Sequence, residues 1–334
     1  MAERSIMAAF ERIKSLKVQG KGAVRREIVG ALRKSIKASR AKTEIAFRRE
    51  LRRNAVTLLH ARPTEPEART AVRIILKAAS IETERLHELK SNVLRTIGRY
   101  EQDREEAMEK MALYGSRLVE KGDAIMTHCH SDTVAHILKK ARKKISMVYC
   151  TETRPLFQGR ITAAELHGAG IPVTMIVDSA ADRFMHKADH FFSGCDAVLS
   201  DGSIVNKIGT MQIAMSAKKH NIPYYACTSS HAFDPATYFG FEEKIEERPW
   251  QEIWKEKPAG VHIRNPAFDL VDEFYVRGIV TELGVFSPKM FALEMYGLLG
   301  LWKRQKPFFG LLDSIKEHGR AERIAGQNKA IGGD

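Results

Sequence analysis

The chain has 334 residues, of which 44% are hydrophobic and 28% are charged, and its formal net charge at pH 7 is +13. This length fits two domains with buried cores, and the composition excludes fibrous and disordered proteins. Because no apolar run reaches the roughly 20 residues of a membrane span, and no N-terminal stretch resembles a secretory signal, the sequence predicts a cytoplasmic protein without a membrane partner.

The positive charge is concentrated near the N-terminus. Residues 1–60 hold 16 Lys and Arg against 5 Asp and Glu. Such a stretch attracts anions, including nucleic acids, acidic proteins and phosphorylated small molecules. It contains only two aromatic residues, Phe10 and Phe47, so it lacks the stacking platforms that bind single-stranded nucleic acid. A nucleic-acid partner is therefore not expected, and a solvated basic helix face is the alternative interpretation.

Apolar residues recur at helical spacing up to about residue 118. Phe10 follows Ile6 by four residues, and Ile13 follows Phe10 by three. After a break at Pro63, the periodic pattern resumes over residues 66–79 and 84–119. The sequence therefore predicts a basic, all-helical N-terminal domain over residues 1–118.

From Gly122 onward, short apolar runs alternate with helical segments. The runs are Ala124–Thr127, Ile145–Thr151, Pro172–Val177, His190–Phe192, Ala197–Leu199 and Pro223–Cys227. This alternation is typical of a parallel, doubly wound sheet. We predict an α/β fold with a Rossmann-like C-terminal domain over residues 119–334. Within it, a capping box predicts a helix that begins at Thr162, and Asp201-Gly202 predicts a tight turn.

Reactive side chains follow the predicted strands. They lie in His128-Cys129-His130-Ser131, Thr151-Glu152-Thr153-Arg154-Pro155, Asp178-Ser179 and Gly194-Cys195-Asp196. In an open parallel sheet, ligands bind beyond the carboxyl ends of the strands. We therefore expect these segments to meet at one crevice.

Cys129 is the first candidate for a catalytic group. It precedes a helix predicted to begin near Ser131, where the positive end of the helix dipole would lower the thiol pKa below its usual ~8.5. The alternative is an inert, packed thiol, which is the interpretation favoured for the other three cysteines, Cys150, Cys195 and Cys227. Neighbours on a strand point to opposite faces, so His128, Cys129 and His130 do not predict a metal site.

Two further segments carry candidate groups. Asp196 lies between two apolar runs, so partial burial would favour its protonated form and let it carry a proton near neutral pH. An Asp that bonds to a turn is the alternative. Asn206 and Lys207 precede a helix whose backbone donors could join them in binding a phosphate, and a simple helix cap with a surface lysine is the alternative. The glycine fingerprints of dinucleotide and nucleoside triphosphate sites are absent, and no cofactor is expected.

Five motifs resemble, in order and spacing, those of one family. The motifs are THCHS at 127–131, TETRPLFQGR at 151–160, VDSAA at 177–181, GCD at 194–196 and NKIGT at 206–210. This family contains archaeal ribose-1,5-bisphosphate isomerase, methylthioribose-1-phosphate isomerase and the alpha, beta and delta subunits of translation initiation factor two B. The resemblance extends to residues 265–288 and implies a helical domain followed by a Rossmann-like domain.

In the isomerases of this family, the Cys of the first motif and the Asp of the fourth are catalytic, which implies Cys129 and Asp196 here. Contacts to the phosphate and sugar are implied for Gly20, Arg62, Arg154, Gln158, Asn206 and Lys207. Gln19 stands where the isomerases have an arginine, and Lys21 is expected to supply that charge. His130 and residues 228–231 also depart from the isomerase pattern.

The resemblance implies that a phosphorylated sugar is the ligand. The leading interpretation is isomerisation of ribose 1,5-bisphosphate to ribulose 1,5-bisphosphate, by acid–base proton transfer through a phosphoenolate. Two alternatives stay open: an isomerase of methylthioribose 1-phosphate or another sugar 1-phosphate, and a non-catalytic regulatory subunit. Members of the family associate through their C-terminal domains, which implies a homo-oligomer built from dimers.

Overall fold

The computed structural model describes residues 2–18, 20–62, 65–82, 85–243 and 245–300. Met1–Ala292 group into one compact unit and Leu293–Asp334 into a second. The domain division between residues 118 and 119 stays a prediction. The described helices of the first part of the chain are α1 (Ala2–Lys14), α2 (Lys21–Ala38), α3 (Glu44–His60), α4 (Pro66–Ala79) and α5 (Leu86–Arg117).

The apolar faces of these helices pack together as their periodicity predicts. Ile13 of α1, Ile28 of α2 and Leu51 of α3 are buried in one hydrophobic cluster. The side chain of Thr43 begins α3 by accepting a hydrogen bond from the backbone nitrogen of Ala46 at 3.2 Å. The described residues before position 124 contain no strand, which confirms the expectation of an all-helical region.

Strands and helices alternate in the rest of the described chain. The strands are β1 (Ala124–His128), β2 (Met147–Thr151), β3 (Val173–Ile176), β4 (His190–Gly194), β5 (Ala197–Val198), β6 (Ile204–Lys207), β7 (Tyr224–Cys227), β8 (Phe268–Val271), β9 (Gly278–Thr281) and β10 (Gly284–Phe286). The helices are α6 (Asp132–Ala141), α7 (Gln158–Gly168), α8 (Ala181–Met185), α9 (Thr210–Lys219) and α10 (Pro288–Leu298).

Seven strands form one sheet in the order β10-β9-β7-β4-β1-β2-β3. All neighbouring pairs are parallel except β9 and β10. All five residues of the central strand β1 are buried, as expected for a sheet covered on both faces. The Rossmann-like parallel sheet is therefore confirmed.

The predicted strand Ala197–Leu199 belongs to a different sheet. There β5 pairs with β6, and β6 with β8, in an antiparallel arrangement. The cause is the predicted turn at Asp201-Gly202, where Gly202 adopts a φ of 90° and the backbone nitrogen of Leu199 donates to the carbonyl of Ser203 at 2.9 Å. A turn this tight sends the chain back along itself, which a parallel sheet does not allow.

The topology brings the reactive segments together. Strand β1 lies between β2 and β4, with Thr127 opposite Cys150 and His128 opposite Ser193. The residues that follow these three strands therefore share one edge of the sheet, as the strand order of a doubly wound fold requires.

Candidate active site

A cavity of about 330 Å³ lies at this edge of the sheet. Its walls come from the start of α2, from α5 and α7, from the end of β6 and from the segments that follow β1 and β4. Eight of the residues singled out in the sequence line it: Gly20, Lys21, Arg62, Cys129, Gln158, Asp196, Asn206 and Lys207. A crevice is therefore present at the strand ends, and the segments after β1 and β4 line it. The other two segments expected there, residues 151–155 and 178–179, do not line it.

The loop after β1 holds Cys129 in an unusual backbone conformation. Its φ of 66° lies in the left-handed region that non-glycine residues rarely adopt. Two hydrogen bonds fix this geometry: the nitrogen of Cys129 donates to Thr153 Oγ1 at 2.9 Å, and its carbonyl accepts from Thr162 Oγ1 at 2.9 Å. Helix α6 then begins after Ser131, whose hydroxyl accepts from the nitrogen of Val134, as predicted.

Thr162 does not begin a helix. The nitrogen of Phe157 donates to the carbonyl of Thr153 at 2.8 Å, and α7 starts one turn earlier than predicted, at Gln158. This correction gives Thr162 a different role, because its hydroxyl is free to reach the Cys129 carbonyl and also lies 3.1 Å from His130 Nδ1. Thr162, the first residue of the predicted capping box, therefore stabilises the loop that contains Cys129.

Burial raises the pKa of the Cys129 thiol to about 11, although Lys207 and Arg62 act in the opposite direction. The predicted lowering of this pKa is wrong. The loss of hydration destabilises the thiolate more than the start of the helix and the nearby cations stabilise it. Burial also raises the pKa of Cys150 and of Cys195, each to about 12.

We expect iodoacetamide to alkylate Cys129 of the ligand-free protein about 100-fold more slowly at pH 7.5 than it alkylates free cysteine, because only the thiolate reacts. The rate should rise about tenfold per pH unit from pH 7 to pH 10 without levelling off. Mass spectrometry of the peptides separates this thiol from the other three. A plateau beginning near pH ~8.5, the ordinary pKa of cysteine, would contradict the effect of burial.

Asp196 lines the same cavity as Cys129, from the segment between β4 and β5. Its backbone nitrogen donates to the carbonyl of Val205 at 2.8 Å, which ties it to β6. Its charge acts on Cys129 and raises the thiol pKa. The neighbouring carbonyl of Cys195 accepts from Lys21 Nζ at 2.6 Å, and the same Nζ contacts Thr228 Oγ1. A thiol and a carboxyl group therefore line one cavity beside a lysine from α2.

Three cations surround this pair. Arg62 and Lys207 lie over the ring of Phe268, with Cζ 5.6 Å and Nζ 4.9 Å from its centre. The third cation, Arg248, has a side chain that is 9% exposed, and its Nη1 lies 3.1 Å from Glu246 Oε1. Burial lowers the pKa of Lys207, and the charges of Arg62 and Arg248 add to this effect. We call the group of Cys129, Asp196, Arg62, Lys207 and Arg248 the catalytic corner.

Asn206 and Lys207 line the cavity, but the helix that follows them, α9, does not. Asn206 Nδ2 donates to Thr210 Oγ1 at 2.9 Å. At the start of α9, the nitrogens of Gly209 and Met211 both donate to Asp269 Oδ2, at 2.8 and 3.0 Å. A carboxylate therefore engages these two backbone donors, and they are not available to a phosphate. Phosphate binding by Asn206 and Lys207 stays a prediction.

Comparison with known proteins assigns the chain to a family. Residues 17–288 match the model of the Initiation factor 2 subunit family. The chain belongs to this family. Ribose 1,5-bisphosphate isomerase of Methanocaldococcus jannaschii is 34% identical to it over 319 residues, which cover 94% of this chain and 98% of that protein.

Solved structures of the family share the fold. Translation initiation factor eIF-2B of Pyrococcus horikoshii has a TM-score of 0.73 and 27% identity, covering 85% of this chain and 98% of that one. The 5-methylthioribose 1-phosphate isomerase of the same organism has a TM-score of 0.71 and 25% identity, with 88% of each chain covered. The helical region followed by a parallel sheet is therefore common to this family.

Arg154, which the family resemblance places at the substrate, does not line the cavity. The side chain of Arg154 is exposed, lies 4.9 Å from the ring centre of Phe157 and donates to the carbonyl of Ile253 at 3.3 Å. Its backbone nitrogen donates to Asp178 Oδ2 at 2.7 Å. The structure therefore does not bring Arg154 together with the other candidate residues, and Gln19 lies outside the described residues.

Three charged residues that line the cavity were not predicted from the sequence: Glu67, Arg104 and Arg248. Arg248 lies between two short 3₁₀ helices, Pro235–Phe239 and Trp250–Glu252, so no periodic pattern marks it. Glu67 and Arg104 lie on helices α4 and α5, where charged residues ordinarily face water. The sequence around each residue is the same kind of helical pattern whether the charged side chain faces a cavity or faces water.

Within the described residues, no group of three or more His, Cys, Asp and Glu side chains has an arrangement that could hold a metal ion. In the same part of the chain, no helix is both long enough and apolar enough to cross a membrane.

Proposed function

We propose that the protein isomerises a sugar 1-phosphate, and that its substrate is ribose 1,5-bisphosphate and its product ribulose 1,5-bisphosphate. One observation carries the proposal: Cys129 and Asp196 line the same cavity, beside the cations Arg62 and Lys207. The name of the Methanocaldococcus relative, a ribose 1,5-bisphosphate isomerase, supports the choice of substrate.

The phosphate on C1 dictates the chemistry. Because C1 carries a phosphate in place of a hydroxyl, the ring cannot open to a free aldehyde as an ordinary pentose does. Ring opening then needs a proton on the ring oxygen, and isomerisation needs a proton to leave C2 and another to arrive at C1. One acid and one base on opposite sides of C1 and C2 meet these needs.

In the proposed reaction, the carboxylic acid of Asp196 protonates the ring oxygen while its bond to C1 breaks, and the thiolate of Cys129 removes the proton from C2. The electrons of the C2–H bond form a double bond to C1, which gives a phosphoenolate with a hydroxyl at C2. The thiol then returns its proton to C1, and the C2 hydroxyl gives its proton to Asp196. Both groups end in the state in which they began.

The raised thiol pKa requires a source for the thiolate. Transfer of the Cys129 proton to the Asp196 carboxylate produces the thiolate base and the carboxylic acid together. Lys207 and Arg62 favour the thiolate, because both lower the pKa of Cys129. The catalytic corner therefore supports formation of the reactive pair once the sugar excludes water from the cavity.

The same cations bind the phosphate at C1. Arg62 is almost fully buried and keeps its charge, because its pKa is raised by Glu65, Asp196 and Glu246 although burial alone would lower it. A guanidinium offers paired donors to phosphate oxygens, and Lys207 adds a point charge. Together they orient C1 and C2 between the thiol and the carboxyl group.

The test is a phosphorus and carbon NMR time course with the α anomer of ribose 1,5-bisphosphate. We expect ribulose 1,5-bisphosphate to form with the wild-type protein. Parallel samples contain methylthioribose 1-phosphate, which has no second phosphate. Turnover of methylthioribose 1-phosphate alone would make that compound the substrate in place of ribose 1,5-bisphosphate. Binding of the bisphosphate without turnover would contradict catalysis and support the regulatory alternative.

We also propose a homo-oligomer built from dimers, as the family resemblance implies. Strand β10 is an edge of the large sheet. Val285 on this strand is 41% exposed, and Leu283, directly before it, is 42% exposed. An exposed edge with apolar side chains supports pairing with a second chain. The protein has a phosphorylated sugar as its ligand in this proposal, and neither nucleic acid nor a membrane is required.

A further inference from the structure

The cavity has a second charged end, formed by α2, α4 and α5. Here Arg25 Nε lies 3.2 Å and Arg104 Nε 3.7 Å from Glu67 Oε1. Lys21 and Ser229 complete this end of the lining. We call Lys21, Arg25, Glu67, Arg104 and Ser229 the helix corner.

The helix corner carries excess positive charge. Burial opposes ionisation of Glu67, but Lys21, Arg104 and Arg25 outweigh it and lower the pKa of this carboxyl group. One carboxylate therefore faces three cations inside the cavity. The carboxylate of Glu282, which lies 3.7 Å from Arg104 on the outer side, already accepts from the backbone nitrogen of Ser230 at 3.0 Å.

Several donors of the helix corner make no hydrogen bond with the described residues. They are Ser229 Oγ, Arg25 Nε and Arg104 Nε, and all three atoms are buried. The two guanidinium nitrogens have the carboxylate of Glu67 as an ion-pair partner, whereas the hydroxyl of Ser229 has no partner among the described residues. Ser229 is only 2% exposed and Arg104 8%. A buried polar group without a partner is costly, so native proteins rarely keep one without a ligand or an ordered water. These donors line the cavity and therefore point to an anion with several acceptor oxygens.

We propose that the helix corner is the subsite for the second phosphoryl group of a sugar bisphosphate. This inference rests on the proposed function and deepens it. The catalytic corner holds the phosphate on C1 next to the reacting atoms, and the helix corner holds the phosphate at the far end of the sugar. Lys21 joins the corners, because its Nζ donates to the carbonyl of Cys195, beside Asp196, at 2.6 Å.

The proposal makes the helix corner the source of specificity for bisphosphates. A phosphate dianion satisfies the donors of Arg25, Arg104 and Ser229 at once, and two guanidinium groups match its oxygens. A monophosphate bound at the catalytic corner leaves Ser229 Oγ without a partner, and it leaves Lys21, Arg25 and Arg104 facing the single carboxylate of Glu67 in the cavity. Selection therefore follows from an unpaired buried hydroxyl and from excess buried positive charge, which discriminate against a ligand that lacks the second phosphate.

Ser229→Ala tests the subsite with little risk to folding, because Ser229 Oγ has no hydrogen bond to lose among the described residues. Calorimetry in a Cys129→Ser background prevents turnover while ribose 1,5-bisphosphate and ribose 1-phosphate are titrated. We expect Ser229→Ala to weaken binding of the bisphosphate about tenfold and of the monophosphate less than about twofold. Arg104→Lys, which keeps the charge but loses the paired donors, should show the same selectivity.

Ser216→Ala is the matched control. Ser216 is a buried serine of α9 whose hydroxyl bonds to Asp182, and it does not line the cavity. It should leave both affinities unchanged. If Ser229→Ala weakens both ligands equally, or neither, the subsite is wrong, while turnover of the bisphosphate by the wild type keeps the proposed function. A wild type that neither binds nor converts the bisphosphate overturns both.

Discussion

Cys129→Ser is expected to lower kcat for ribose 1,5-bisphosphate by about 10³-fold or more, which is the range of general acid–base catalysis. A serine hydroxyl is a far weaker acid than a thiol, so at neutral pH it supplies almost no base to take the proton from C2. The change is nearly isosteric, and Cys129 is held through its backbone, by Thr153 and Thr162. Substrate affinity should therefore stay within about threefold.

Pre-steady-state and steady-state rates are measured beside calorimetric binding of the substrate to the variant. Cys227→Ala is the matched control, since it replaces a fully buried thiol on β7 that does not line the cavity. We expect the control to keep kcat within about threefold. A Cys129→Ser protein with near-wild-type kcat would remove the thiol from the mechanism, and equal losses in both variants would point to a structural effect.

Asp196→Asn extends the same prediction to the other member of the pair. The amide cannot deliver a proton to the ring oxygen, so kcat should fall by a similar factor. The combined Cys129→Ser and Asp196→Asn protein should be little slower than either single variant, because groups that act as a unit have strongly non-additive effects. Losses that multiply would indicate that the two side chains act in separate steps.

The position of the site could be predicted from the sequence, because it depends on strand order. The apolar runs that became β1, β2 and β4 placed Cys129 and Asp196 after neighbouring strands, and the structure has both residues in one cavity. Ser131 also gave the start of α6 correctly. These features rest on local sequence, namely hydrophobic runs and caps, which act over a few residues.

The electrostatics could not be predicted in the same way. The sequence shows that Cys129 precedes a helix but not how much protein surrounds it, and burial decides its pKa. Four short strands, β6, β8, β9 and β10, were not predicted, and β5 was placed in the wrong sheet. Length alone does not explain this, because β3 and β7 also have four residues and were predicted. Such outcomes depend on contacts between segments far apart in the chain.

The basic N-terminal region illustrates the same limit. Its positive charge predicted attraction of anions, with a solvated helix face as the alternative. Lys21, Arg25 and Arg26 line the cavity, whereas Arg12 is largely exposed and pairs with Glu27 at 3.6 Å. Both interpretations hold, each for different residues, and the contact between the start of α2 and the segment after β4 separates them.

Gly159→Ala is expected to lower the free energy of unfolding by about 3 kcal/mol, a size typical of overpacking in a rigid place. A Cβ on Gly159 would lie 1.8 Å from the carbonyl oxygen of Thr151 and 2.9 Å from its carbon. Both are backbone atoms at the end of β2, so no side chain can rotate away. Either α7 or the strand end must shift, and Gln158 would move with it.

Gly168→Ala is the control in the same helix, because a Cβ there meets nothing within 4 Å. Alanine also favours the helix over glycine, so its free energy of unfolding should be unchanged or up to about 1 kcal/mol higher. Urea unfolding followed by circular dichroism measures both variants, and titration with ribose 1,5-bisphosphate shows whether Gly159→Ala also weakens the cavity that Gln158 lines. Similar stabilities for the two variants would mean that α7 does not pack against β2 as closely as the structure has it.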